Sequence, residues 1–169
     1  MMHSLCEIRP AREQDAVAIS ALILGLAHVV TGSTSPDAAP AYFKDMGVQP
    51  TRDRIAGGQF GYWVAEAQGE MVGVVAMRDM THLFNLFIDA RWQGCGLGRR
   101  LWETAKAHAI AWGGPAVFTV NASPNAATIY RRWGFADTAP LMERGGIAFI
   151  PMQYVSGADS PPKHQAMQR

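Results

Sequence analysis

The sequence predicts an α/β fold: a mixed, mostly antiparallel sheet of about seven strands flanked by about four helices. Three observations carry this. Extended apolar runs alternate along the chain with runs of helical period. Gln68-Gly69-Glu70 and Arg144-Gly145-Gly146 join neighbouring extended runs as hairpin turns. Helical patterns after Leu97 and Ser123 sit between strands, the order of an α/β chain rather than of separate layers.

Taken in order, Cys6 to Arg9 alternates as a strand, and Asp15 is placed to cap a helix carrying Ile19, Leu22, Ile23 and Leu26 at i, i+3, i+4, i+7. Ser35-Pro36 opens a second, shorter helix with Tyr42, Phe43 and Met46. Tyr62–Ala67 and Met71–Asp79 are strands, and the evenly apolar HLFNLFID, His82 to Asp89, reads as a central strand covered on both faces. From Leu97, the residues Leu101, Ala105, His108 and Trp112 trace one helix face that stops at Gly113-Gly114-Pro115; His108 is expected to pack rather than bind. Val117–Asn121 is the next strand. Ser123-Pro124 opens a helix with Ala126, Ile129, Tyr130 and Trp133 on one face, and two runs, Ala136–Glu143 and Ile147–Val155, end the sheet.

With 169 residues, 49% of them hydrophobic and 17% charged, the chain can bury one core without disulfides or metal. One domain is therefore expected over residues 1–155, followed by a polar, disordered tail over 156–169. A net charge of +1 without a basic block argues against nucleic acid as a partner. The stretch AVAISALILGLAHVV is too short for a membrane span, MMHSLCEIRP lacks the pattern of an export signal, and two distant cysteines fit a reducing compartment, so a cytoplasmic protein is expected.

Chemistry concentrates in RWQGCGLGRRLWE, Arg91 to Glu103, with glycines at 94, 96 and 98 where a strand hands over to a helix. Such a junction exposes unpaired N–H groups and the positive end of a helix dipole, and glycine lets a phosphate approach them. Arg99 and Arg100 follow within reach of phosphate oxygens. The plain alternative is a tight turn with solvated arginines. A P-loop pattern is absent, and G-x-G-x-G in mid-chain without a downstream acid does not fit a dinucleotide fingerprint.

Gln93, Gly96 and Gly98 match the Q/R-x-x-G-x-G/A loop, and Arg91, Gly94 and Gly96 give an overlapping match. The segment SPNAATIYRRWGF adds Ser123, Ala126, Ile129, Tyr130, Gly134 and Phe135 in the pattern N/S-x-x-A-x-x-L-Y-x-x-x-G-F. With both motifs in order, the sequence resembles the GNAT superfamily of acyl-CoA-dependent N-acyltransferases, in element order from about Glu7 to Tyr154. The resemblance implies that acetyl-CoA, as acyl donor, wedges between the strands at 82–89 and 117–121. Its pantetheine would pair with backbone near Phe87 and Ile88, and its pyrophosphate would lie on the loop of Gln93, Gly94, Cys95, Gly96, Leu97, Gly98 and Arg99. Ser123 stands where many members have asparagine.

The resemblance also implies that Tyr130 protonates the departing thiolate, although packing alone would explain a tyrosine on that face. A base must deprotonate the amine, and His82 or Asp79 is placed to act through water. Cys95 is read as part of the phosphate loop rather than as a nucleophile. The acceptor is expected to be a small amine or amino-acid derivative gripped by the first two helices, the loop from His28 to Asp37 and the final hairpin. Protein acetylation and a non-catalytic acyl-CoA sensor remain as alternatives. Phe84, Phe87 and Phe118 are candidates to limit the acyl pocket. No metal is called for, and a homodimer is compatible with the sequence.

Overall fold

The computed structural model describes residues 6–33, 35–114 and 117–157. In chain order these form β1 (Cys6–Pro10), α1 (Ala16–Gly25), α2 (Ala27–Thr31), α3 (Pro40–Asp45), α4 (Val48–Ala56), β2 (Phe60–Ala67), β3 (Glu70–Arg78) and β4 (His82–Ile88). There follow α5 (Leu97–Ala111), β5 (Val117–Ala122), α6 (Pro124–Arg132), β6 (Ala136–Asp137), β7 (Met142–Arg144) and β8 (Ile147–Val155). The strands lie in the order β1-β2-β3-β4-β5-β8-β6, with β7 paired to β8. Hairpins and returns make the neighbours antiparallel except β4 and β5, whose parallel pairing needs a crossover, supplied by α5.

Period-2 alternation divides the buried sheet residues between two layers. Trp63 and Ala65 of β2 and Val75 and Met77 of β3 face one side, where Leu97, Leu101, Trp102 and Ala105 of α5 and Ala127 and Tyr130 of α6 cover them. Tyr62 and Val64, with Val74 and Ala76, face the other, against Ile19 and Ile23 of α1 and Met46. Trp102 is fully buried, edge-on to Phe118 and Tyr154 with ring centroids 5.4 and 5.7 Å away. Both faces of the central strands are covered, which is why they read as near-continuous apolar runs.

The chain departs from expectation where short helices meet turns. Among the described residues there are six α-helices where about four were expected. The apolar run at 16–31 breaks at Leu26 into α1 and α2, and the segment after Ser35 is a single 3-10 turn, capped by the Ser35 hydroxyl accepting from the Asp37 amide, before α3 and α4. In α4, VQPTRDRIA has few apolar positions, but Pro50 lies in its first turn, where no helical N–H is lost. The expected strand 136–143 survives only as β6 and β7. His108 and Trp112 are off the buried face of α5: Trp112 is 83% exposed, and His108 lies 5.2 Å from the Trp63 ring. The inner face runs instead through Leu97, Leu101, Trp102, Ala105 and Ala109. Ile129 is likewise 45% exposed, and Ala127 takes the inner position beside Tyr130. Among the described residues no single helix is long and apolar enough to cross a membrane. Residues 1–5 of the stretch read for an export signal, the stop at Pro115 and residues 158–169 of the tail expected over 156–169 lie outside the described residues.

Candidate active site

Strands β4 and β5 pair only at His82 with Thr119 and Leu83 with Val120, and then separate. On the other edge of β4, Ala76 faces Asn85 while Met77 faces Leu83, so Phe84 is an extra residue. A bulge of this kind bends its strand. The gap that opens is a cleft of about 450 Å³. The Asp89 amide donates to the Val72 carbonyl at 2.9 Å, so alternation turns the backbone of Phe87 toward β3 and that of Leu86 and Ile88 toward the gap. Gln93 Nε2 donates to the Ile88 carbonyl at 3.0 Å and ties the glycine loop to the end of β4.

The loop is held open by its own turns. Asp89 accepts from the Arg91 amide at 2.9 Å and pairs with its guanidinium, which also reaches Glu70 at 3.0 Å, so Arg91 is engaged in ion pairs beside the sheet. Gly94 and Gly96 have φ of +76° and +83°, and nothing lies within 4 Å of where their Cβ atoms would stand. Both properties favour glycine: left-handed backbone and clear space above the amides. Gly96 caps α5, and the Arg100 amide donates to the Gly96 carbonyl, leaving the amides of Leu97, Gly98 and Arg99 without helical acceptors. The Leu97 side chain is buried below, so only its backbone faces outward. Gly98 has ordinary φ, and a Cβ there would stand 3.4 Å from the Trp133 ring. The Cys95 thiol donates to the Trp92 carbonyl at 2.7 Å. Arg100 bonds the Cys6 carbonyl at 3.2 Å, which makes it a tie between α5 and β1. Arg99 and Gly96 border a separate hollow of about 650 Å³ beside Glu7 and Ile8.

Phe87, Ile88, Gln93, His82, Ser123 and Tyr130 all line the cleft. Ser123 caps α6 through its carbonyl, which accepts from Ala126 and Ala127, while its hydroxyl makes no capping bond. Tyr130 is 7% exposed, set edge-on to Trp133 and Phe135 at 5.4 and 5.3 Å. Burial raises its pKa well above the ordinary phenol value, so it keeps its proton at neutral pH. His82 Nδ1 and Thr119 Oγ1 are 2.7 Å apart, bridging the last paired residues of β4 and β5. Burial and then the Arg78 charge lower the pKa of His82, so its imidazole is neutral near pH 7. Asp79 is exposed, 3.9 Å from Arg78, and lies outside the cleft lining.

The opposite wall comes from Leu26, Val29 and Val30 at α2, Tyr42 of α3, Phe84 and the β7–β8 hairpin through Arg144, Ile147 and Phe149. The hairpin closes on the α3 side at Gly146, whose φ is +81° and where a Cβ would overlap the Ala38 carbonyl. Of the three phenylalanines expected at the acyl pocket, Phe84 and Phe87 line the cleft, but Phe118 does not: it is fully buried against Trp102 in the opposite core layer. Tyr42, Arg78, Asn85 and Arg144 were not legible as site residues. Asn85 carried a signal, the one polar residue inside HLFNLFI; it is buried, with Nδ2 3.6 Å from Met46 Sδ. Among the described residues no group of three or more His, Cys, Asp or Glu is placed to hold a metal.

A family model described as an acetyltransferase (GNAT) domain matches residues 30–156. No curated protein matches the chain. A GCN5-related N-acetyltransferase structure from Rhodopseudomonas palustris aligns with a TM-score of 0.76 and 22% identity, covering 92% of this chain and 98% of that one. The PaiA N-acetyltransferase from Thermoplasma acidophilum, solved in complex with coenzyme A, aligns at 0.76 with 13% identity over 89% of this chain and 98% of that one. An aminoglycoside 6′-acetyltransferase type Ii aligns at 0.62 with 14% identity over 88% and 96%. At these identities the structures speak for the fold.

Proposed function

Because the chain belongs to the GNAT acetyltransferase family, we propose that it moves an acetyl group from acetyl-CoA to a primary amine of a small molecule, by direct attack in a ternary complex. The observation that carries this reading is a buried, protonated Tyr130 on the same cleft as the gap-facing backbone of β4 and Gln93, the residue that leads into the glycine loop. The residues fit the donor. Open space above Gly94 and Gly96 and the free first-turn amides of α5 suit a diphosphate, each contact contributing roughly 0.3–1 kcal/mol. The gap edge of β4 offers Leu86 and Ile88 backbone to an extended pantetheine, and an amide there can polarise the acyl carbonyl.

Bound acetyl-CoA supplies an activated acyl carbon and a sulfur leaving group. His82, neutral near pH 7, takes a proton from the acceptor ammonium directly or through water. The amine nitrogen then bonds to the acyl carbon, the carbon–sulfur bond breaks, and Tyr130 gives its phenolic proton to the sulfur. The nitrogen passes its second proton to water, water returns a proton to Tyr130, which its raised pKa favours, and His82 releases the one it took, so the net products are an amide, CoA thiol and one proton. A small acceptor suits a cleft closed at one end by Gly146 against Ala38 better than a protein chain would. Calorimetric titration with acetyl-CoA, against NADH and ATP, followed by thiol release over an amine panel, tests the reading. Saturable binding with amine-dependent release supports it, and absence of acetyl-CoA binding refutes it.

A further inference from the structure

Basic side chains line the cleft. Arg78, His82 and Arg144 border it, and among the described residues no aspartate or glutamate does. Arg78 sits beside His82, whose pKa it helps to lower, so it acts on the proton-accepting end. Arg144 is different. It lies on the hairpin that closes the opposite wall, its guanidinium 5.8 Å from the Phe149 ring centroid, and no carboxylate lies within ion-pair distance among the described residues. The hairpin meets the segment leading into α3 where Gly146 touches Ala38, four residues before Tyr42. Tyr42 lines the cleft, and its buried hydroxyl has no hydrogen-bond partner among the described residues, an arrangement that costs energy unless a ligand supplies an acceptor. Burial with the Asp45 charge raises its pKa, so the hydroxyl is a donor. Around these polar groups the wall is apolar, through Val29, Val30 and Phe149.

We infer that the acceptor is an amine bearing a carboxylate and an apolar body, such as a hydrophobic amino acid, with the carboxylate held by Arg144 and the Tyr42 hydroxyl. A guanidinium recognises a carboxylate by charge-assisted, directional bonds, whereas a polycationic amine would meet two arginines and find no counter-charge. This rests on the acetyl-transfer reading above and narrows its acceptor.

The test uses the full chain. Acetyl-CoA binding is first measured by calorimetry; then kcat/KM for thiol release is determined for leucine, isoleucine, phenylalanine and methionine, for the corresponding carboxamides, and for spermidine. The expected result is at least about tenfold preference for one of the acids over its amide, with spermidine poorest. Arg144→Gln should remove that preference by raising KM for the acid about tenfold while KM for acetyl-CoA stays within twofold, and Arg144→Lys should restore part of it. Acetyl-CoA binding with spermidine or the amides preferred, with no turnover of any of the acids, or with a preference that survives Arg144→Gln overturns the acceptor assignment alone. Failure of acetyl-CoA to bind overturns the acetyl-transfer reading beneath it.

Discussion

The wall of the cleft made by β4 backbone, Gln93 and α6 leads into the open backbone of the 94–98 loop and carries the Tyr130 phenol, while the facing wall, from α2, α3 and the β7–β8 hairpin, is built of side chains. Backbone amides suit a diphosphate, which asks for N–H groups and space, and they constrain the sequence through φ and the absence of Cβ. Side chains suit a particular acceptor and constrain the sequence only through shape and charge. The difference teaches that donor binding and acceptor choice should be separable by mutation.

The largest effect is expected at the backbone wall. Gly96→Val, at φ +83°, should abolish saturable acetyl-CoA binding in calorimetry; the strained backbone at the start of α5 should also lower the melting temperature. Gly98→Ala sharpens the point. Its φ is ordinary and its Cβ would only touch Trp133, so thermal stability should hold or rise by up to about 1 kcal/mol. Acetyl-CoA affinity should nevertheless fall about tenfold; unchanged affinity would remove the phosphate role of the loop.

Next in size, Tyr130→Phe should lower kcat by roughly 10²–10⁴-fold with acetyl-CoA affinity kept within twofold, and an unaltered kcat would leave Tyr130 with packing alone. On the other wall, Gly146→Ala brings a Cβ onto the Ala38 carbonyl and should cost about 1–3 kcal/mol in denaturant unfolding. It should raise KM for the acceptor but not for acetyl-CoA. Equal damage to both constants would break the separation of the two walls.

The smallest expected effect is in pH dependence. The folded pKa of His82 is below its ordinary value of 6.5, so the acid limb of kcat/KM should lie below pH 6.5, and His82→Gln should flatten it while lowering the plateau. The same depression favours the neutral form in the fold. Its stabilisation is complete above pH 6.5 and is lost as pH falls through the lowered folded value. An acid limb above pH 6.5 that survives His82→Gln would assign the base elsewhere.

By itself the sequence determined the order of elements along the chain, the helix between β4 and β5 and the glycine loop. Apolar period, hairpin glycines and helix caps act over a few residues, and the demand for left-handed backbone at Gly94 and Gly96 is local too. Tyr130 and Ser123 were legible for the same reason, being carried on one short motif, and His82 because it opens a strand. Local pattern was weakest where helices are a turn or two long, so the turn at Pro36 merged with α3, α4 was not foreseen and the break at Leu26 passed unseen. Tertiary structure alone decided the facing wall. Leu26, Tyr42, Arg78, Asn85, Arg144 and Phe149 are scattered over 124 positions, counting from 26 to 149, and meet only because the β4 bulge opens the sheet and Gly146 rests on Ala38. It also sent Phe118 to the core and Arg100 to β1. The physical reason is that strand faces follow from period 2 only once register is known, and register is set by partners far along the chain.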